Sequence, residues 1–310
     1  RACVTSGTDY CDLTGEVQWI AAMLEKYEDQ AKQSGARIVH CCGFDSIPSD
    51  MGTYFLQQQA QARFKAPATR VKMRVKVAKG GVSGGTVASM MNIAEEAGKD
   101  PALRKKLANP YLICPPDHGF SARQDSISMP RKDEDFDAWA APFVMDAINS
   151  RIVHRSNALN GKAYGNNFTY NEAMLAGPGM GGRMKALGIG TGTGLFFAAA
   201  ALKPTRWLLN KFVVPQPGEG PSPEAQKAGF YDIRFFGVTD NNDSIRVKVT
   251  GDADPGYGST AKLLGQAAAC LAQDLPADAP GGFWTTASLL GDSLLKRLQE
   301  KAGMTFTVID

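Results

Sequence analysis

Apolar positions fall into two rhythms along this chain. Between about Glu16 and Ser34, Val17, Ile20, Ala21, Leu24 and Ala31 share one helical stripe, and Gly35 is placed to end it. Arg37-Ile38-Val39-His40-Cys41-Cys42 then reads as a short buried strand of the parallel kind. Gly43–Pro48 turns the chain into a second helix, about Ser49 to Gln61. Strand, glycine turn and helix repeated within the first sixty residues is the rhythm of a doubly wound sheet. The opening residues Arg1–Val4 read as strand-like, as if the chain began mid-fold.

Beyond position 69 the pattern changes. Val71–Val77 alternates strictly, as a strand with one wet face does. Gly80–Thr86 reads as a loop before a helix near Val87. Arg151–Arg155 and Phe168–Tyr170 read as strands, and Phe230–Val238 with Ser244–Thr250 as a hairpin around Thr239–Asp243. A mostly antiparallel sheet with flanking helices follows from this. Helices at Gly258–Ala272, opening at Ser259 or Thr260, and at Thr286–Ala302, then a strand at Met304–Val308, complete the pattern. The acidic cluster Asp133-Glu134-Asp135 reads as a solvated surface, since like charges repel unless wet.

Composition narrows the partners. Of 310 residues 44% are apolar and 21% charged, with a formal net charge of +3, which is ordinary for a globular chain with room for more than one core. Basic residues form no block that would neutralise a run of phosphates, so nucleic acid is not expected. The six cysteines form no CxxC pair, and the three histidines stand at no metal-ligand spacing, so no metal site is expected. Unpaired thiols and the lack of a secretory signal point to the cytoplasm.

Four segments invite chemistry. Gly177-Pro178-Gly179-Met180-Gly181-Gly182 matches GxGxxG, but no acid follows until Glu219 and Pro178 has no N–H to offer a phosphate, so it reads as a loop. Ala186–Leu202 carries seventeen uncharged residues, followed by Trp207–Leu209 and Phe212–Val214. A buried or oligomer-interface helix, an apolar lid over a greasy substrate or lipid surface, and a membrane span all fit it. Asp45, Ser46, Pro48 and Asp50 lie just past a parallel strand, where open α/β sheets bind ligands; the same residues also suit a helix start capped by Ser46 or Ser49. Gly80–Thr86 suits close backbone approach to a ligand with Thr86 as donor, or a plain turn.

Several segments together resemble the saccharopine-dehydrogenase-like oxidoreductases. They are Gly7–Glu16 (GTDYCDLTGE), Gly43–Gly52 (GFDSIPSDMG), Ser83–Thr86 (SGGT), Gly251–Thr260 (GDADPGYGST) and Gly303–Phe306. The match runs from end to end and is most specific at Gly43–Gly52. The nearest branch looks like the trans-acting enoyl reductases and the vertebrate saccharopine-dehydrogenase-like proteins.

The resemblance implies an α/β chain: the C-terminal part of a Rossmann-like doubly wound sheet over residues 1–64, a mixed, mostly antiparallel α+β substrate and dimerisation domain over 65–250, and a helical segment, 251–310, packing back on the first part. The phosphate-gripping start of such a domain would precede Arg1. It further implies hydride transfer from NADPH or NADH to a C=C or C=N bond of a small, lipid-like substrate, and a homodimer. Thr86 and Ser46 would orient the substrate, Asp45 or Tyr10 would manage the proton, and Asp12, Thr14, Glu16 and Gly43 would border the nicotinamide. The alternative is a catalytically silent relative that contacts a membrane surface or a partner protein, using residues 186–214.

Overall fold

The computed structural model describes residues 1–81, 83–212 and 220–310. Val82, inside the Gly80–Thr86 segment, and Val213–Val214, at the end of the second apolar stretch, lie outside the described residues. The chain opens on a short helix, α1 (Ala2–Ser6), and not on the strand-like entry expected there. Gly7 ends it in the left-handed conformation, φ 68°, returning its N–H to Cys3. Val4 docks the helix against Ala31, Ile38 and Phe283, a contact made far along the chain.

β1 (Tyr10–Cys11), α2 (Val17–Ser34) and β2 (Arg37–Val39) then form a parallel βαβ unit, with Gly35 capping α2 at φ 78°. β2 also pairs in parallel with β9 (Gly282–Trp284), so the small sheet runs β1-β2-β9. The larger sheet has seven strands. Its centre is β3 (Ala68–Lys79), parallel to β6 (Thr169–Gly177) and antiparallel to β7 (Phe230–Thr239). β5 (Ala138–Pro142) and β4 (Arg131–Asp133) extend it beyond β6, and β8 (Ser244–Gly251) and β10 (Met304–Val308) beyond β7. The chain is thus α/β, with a mixed sheet and a smaller parallel one.

α3 (Ile47–Phe64) links the two, leaving the small sheet and lying across the large one. Gly52 makes this possible: a Cβ there would stand 2.4 Å from the Phe235 ring on β7. The remaining helices are α4 (Gly84–Lys99), α5 (Pro101–Leu107), α6 (Asp146–Leu159), α7 (Gly179–Ala201), α8 (Lys203–Phe212), α9 (Pro223–Lys227), α10 (Thr260–Gln273) and α11 (Gly291–Lys301). Buried Asp50 on α3 fastens the approach to α11 by accepting bonds from Thr286 Oγ1 at 2.7 Å and the Ala287 amide at 2.8 Å.

Three readings of the pattern need correction. Arg151–Arg155 is not a strand; it lies within α6, which buries Ile148 and Ile152 one turn apart. Five residues are too few to separate a period of 2 from one of 3.6. The Asp133 end of the acidic cluster is not wet. Its carboxylate is buried, accepting from fully buried Arg74 at 2.6 Å and from Lys72 at 3.2 Å. Both cations sit on β3, some sixty residues away. Finally, Gly177–Gly182 is no loop. β6 ends at Gly177 (φ 104°) and α7 begins at Gly179, with Gly182 packed so tightly on the Gly177 carbonyl that a Cβ would reach 1.9 Å.

α7 is also not a buried core helix. Gly182, Ala186 and Ala200 pack inward, while Met180, Met184, Leu187 and Leu195 are exposed. By length and composition alone it is the one helix among the described residues able to cross a membrane.

Candidate functional site

The site forms where β1 and β2 end. After β1 the chain runs through Asp12-Leu13-Thr14-Gly15-Glu16 into α2; after β2 it runs through His40-Cys41-Cys42-Gly43 into α3. The two segments are tied together. The Asp12 carboxylate meets His40 Nδ1 at 2.7 Å and accepts the amides of Thr14 at 3.1 Å and Cys41 at 3.3 Å. Burial works against ionisation of Asp12, but His40 and these amides outweigh it and hold the carboxyl below its usual range. Cys41 adopts φ 62°, unusual for a side-chain-bearing residue, and its thiol donates to the Thr14 carbonyl at 3.0 Å.

These segments border a cleft of ≈480 Å³. Tyr10, Asp12, Thr14, Glu16 and Trp19 line it. Burial and the facing Asp12 carboxylate push the Tyr10 hydroxyl up to about 12. Among the described residues no Lys, Arg or His lines the cleft. It therefore suits a group rich in hydrogen-bond donors, whose amides and hydroxyls would match Asp12 and Glu16, and not a diphosphate.

A second cavity of ≈310 Å³ adjoins it and is mostly apolar, walled by Phe44, Pro142, Phe143, Met174 and Ile189. Leu13, Asp45, Ser83, Thr86, Met90 and Met145 line both spaces. Three groups in this shared wall are polar. Ser83 caps α4: its hydroxyl accepts the Thr86 amide at 3.1 Å and lies 2.9 Å from the Thr86 hydroxyl. The first turn of α4 leaves amides without helical partners, with the positive end of the helix dipole behind them. Asp45 is partly buried and accepts no hydrogen bond among the described residues. Desolvation alone pushes its carboxyl up to about 6.

Of the residues expected from the sequence, Tyr10, Asp12, Thr14 and Glu16 thus meet at the polar cleft, and Asp45 and Thr86 at its junction with the apolar cavity. Ser46 and Gly43 line neither space. Ser46 is fully buried and donates to Asn149 Oδ1 at 2.9 Å; it makes no cap for α3 with its side chain. Asn149 in turn donates to Glu172 Oε2 at 2.9 Å, and Tyr170 to Glu172 Oε1 at 2.7 Å. Gly43 wedges between Leu13 and Thr260, where a Cβ would stand 3.3 and 3.2 Å from their nearest atoms. His40 and Trp19 take no role from the sequence, and Ser83 enters there only as part of the Ser83–Thr86 segment. Ser83 carried a legible signal, the cap three residues before Thr86; His40 did not, because its partner lies 28 residues away on another strand.

No family model matches the chain. Curated relatives do. A Mycobacterium tuberculosis protein, provisionally described as a trans-acting enoyl reductase, is 38% identical over 309 residues, covering 96% of this chain and 73% of its own length. A trans-acting enoyl reductase of the same organism is 36% identical over 311 residues with the same coverage. One from Mycobacterium ulcerans is 33% identical over 314 residues, covering 96% of this chain and 74% of its own.

Proposed function

This chain belongs to the trans-acting enoyl reductase family, and from that premise we propose that it reduces the C=C bond of an enoyl substrate with a hydride from NADPH or NADH. The observation that carries the reading is the shared wall: Asp45, Ser83 and Thr86 stand between a polar cleft and an apolar cavity. Enoyl reduction needs that adjacency. The nicotinamide nucleotide supplies the hydride, and everything else falls to the protein.

Asp12, Thr14 and Glu16 border the cofactor's nicotinamide–ribose end. The apolar cavity takes a lipid-like acyl chain beside it. The Thr86 hydroxyl and the orphan amides at the start of α4 are donors for the carbonyl oxygen, which gains negative charge as the double bond is attacked. Asp45, unbonded and raised toward neutrality, gives a proton to the α-carbon as that charge collapses. Ser46 acts behind this wall as a brace, through Asn149.

The test is a fluorescence titration of the full-length protein with NADPH and with NADH, followed by an enoyl thioester. Saturable enhancement of nicotinamide emission by one nucleotide, then its loss on adding the thioester, supports the proposal. Binding of neither nucleotide overturns it.

A second reading has its own observation. α7, α8 and the residue between them expose Leu187, Leu195, Leu202, Trp207 and Leu208, apolar side chains of the kind that meet a lipid surface or another protein. A catalytically silent relative would keep this face and fail the nucleotide titration.

A further inference from the structure

On the far side of Phe143 and Val144 from the apolar cavity lies another, of ≈580 Å³; both residues line the two spaces. One wall is α6, through Asp146, Ser150, Arg151 and His154. The other is the segment 108–127, through Tyr111, Arg123, Gln124 and Ser126. This cavity shares no residue with the polar cleft.

Its charged groups are incompletely met. Arg37, Arg74, Arg131, Arg155 and Arg297 each contact a carboxylate within ion-pair distance. Arg151 does not, among the described residues. Its Nη1 donates to the Ala147 carbonyl at 2.6 Å and its Nη2 to the Leu107 carbonyl, while Nε is buried with no partner. One turn along α6, His154 is 1% exposed, and its Nε2 is likewise buried and unpartnered. Burial, reinforced by Arg151 and His118, lowers its pKa to about 3, so the ring is neutral and offers an N–H or a lone pair but no charge. Arg123 at the exposed rim also has no carboxylate partner among the described residues. A guanidinium N–H and an imidazole nitrogen left unmet beside one cavity are each desolvated without a compensating bond. Native proteins retain such groups where something else meets them.

We propose that this cavity is a second ligand site, for a small molecule carrying an oxyanion, a carboxylate or a phosphate, held from α6 by Arg151 and His154 and from the rim by Arg123. With both terminal nitrogens of Arg151 held by backbone carbonyls, an oxyanion accepts from its Nε–H and from His154 Nε2–H. Asp146, the carboxyl on the wall, is already engaged: Ser126 donates to one oxygen and the Glu172 amide to the other, both at 3.1 Å. Because Phe143 and Val144 face both cavities, a ligand here stiffens one wall of the apolar cavity. The site stands whether or not the chain reduces enoyl groups.

The test is isothermal titration calorimetry of the full-length protein in a chloride buffer free of oxyanions, with inorganic phosphate and, separately, succinate as probes. Saturable one-to-one heat with either probe is expected, and which one binds tells phosphate from carboxylate. Arg151→Met should weaken it by about tenfold or more, the worth of a charge-assisted bond. Arg123→Ala, at an exposed position with no fold to disturb, should weaken it by a smaller factor, and it carries the test if Arg151→Met does not fold. No saturable heat with either probe, or binding that both substitutions leave unchanged, would overturn the site.

Discussion

Asp12 and His40 face each other across the ends of two parallel strands, Oδ2 to Nδ1 at 2.7 Å, and this contact holds from behind the carboxylate that lines the polar cleft. It fixes two loops at once, because the same carboxylate also holds the amides of Thr14 and Cys41.

Asp12→Asn should therefore loosen both loops, lowering stability at neutral pH by about 1–3 kcal/mol. The pH dependence has a definite sign. Asp12 titrates lower folded than unfolded, so its contribution is present above the unfolded value and lost as pH falls through the folded one. Urea unfolding on a descending acid series should show wild type and variant converging at the acid end.

Asp45→Asn should do the opposite. The carboxyl is raised to about 6, so its stabilising influence is full below the ordinary carboxylate pKa and lost as pH rises through 6. At neutral pH the wild type carries an ionised, unbonded carboxylate against an apolar wall. The amide removes that charge, and stability should rise by about 1–2 kcal/mol above pH 6 and not below pH 4. A residue whose removal stabilises is one kept for another purpose.

Glu172 behaves as a neutral acid. Burial first, then the nearby Asp146, push it up to about 8. Glu172→Gln should match the wild type below about pH 4 and be the more stable at pH 7, because the wild type's neutral-acid contribution is full below the ordinary carboxylate pKa and is lost as pH rises through about 8. Glu172→Ala, which strands Asn149 and Tyr170, should cost about 1–3 kcal/mol at every pH.

Arg74 and Asp133 make the most deeply buried ion pair of the large sheet. Asp133→Ala leaves a fully buried guanidinium uncompensated, and a loss of about 3–5 kcal/mol in chemical denaturation is expected.

What the sequence made legible was local. The alternation of β3, the β7–β8 hairpin and the helix capped by Gly35 each show within a dozen or so residues. The turns after β1 and β2 could be picked out because ligands gather at the carboxyl ends of parallel strands. What stayed hidden depends on distant partners. Asp133 looked wet because Arg74 is 59 residues away. Ser46 looked like a substrate-facing hydroxyl because Asn149, its acceptor, is 103 residues away. α6 hid its helix behind buried polar residues, among them Asn149, His154 and Arg155, that erase the apolar stripe. The GxGxxG run does sit between strand and helix, yet on the large mixed sheet and without an acid to answer it.

The account rests on Asp45 as the proton donor at the junction of the two spaces, and the pH dependence of kcat for enoyl thioester reduction at saturating nucleotide tests it most directly. The wild-type rate should fall as pH rises through about 6. Asp45→Asn should lose about 10²–10⁴-fold and show no such limb, while remaining folded and binding nucleotide as before. A variant that turns over at the wild-type rate with the same pH profile would contradict the account.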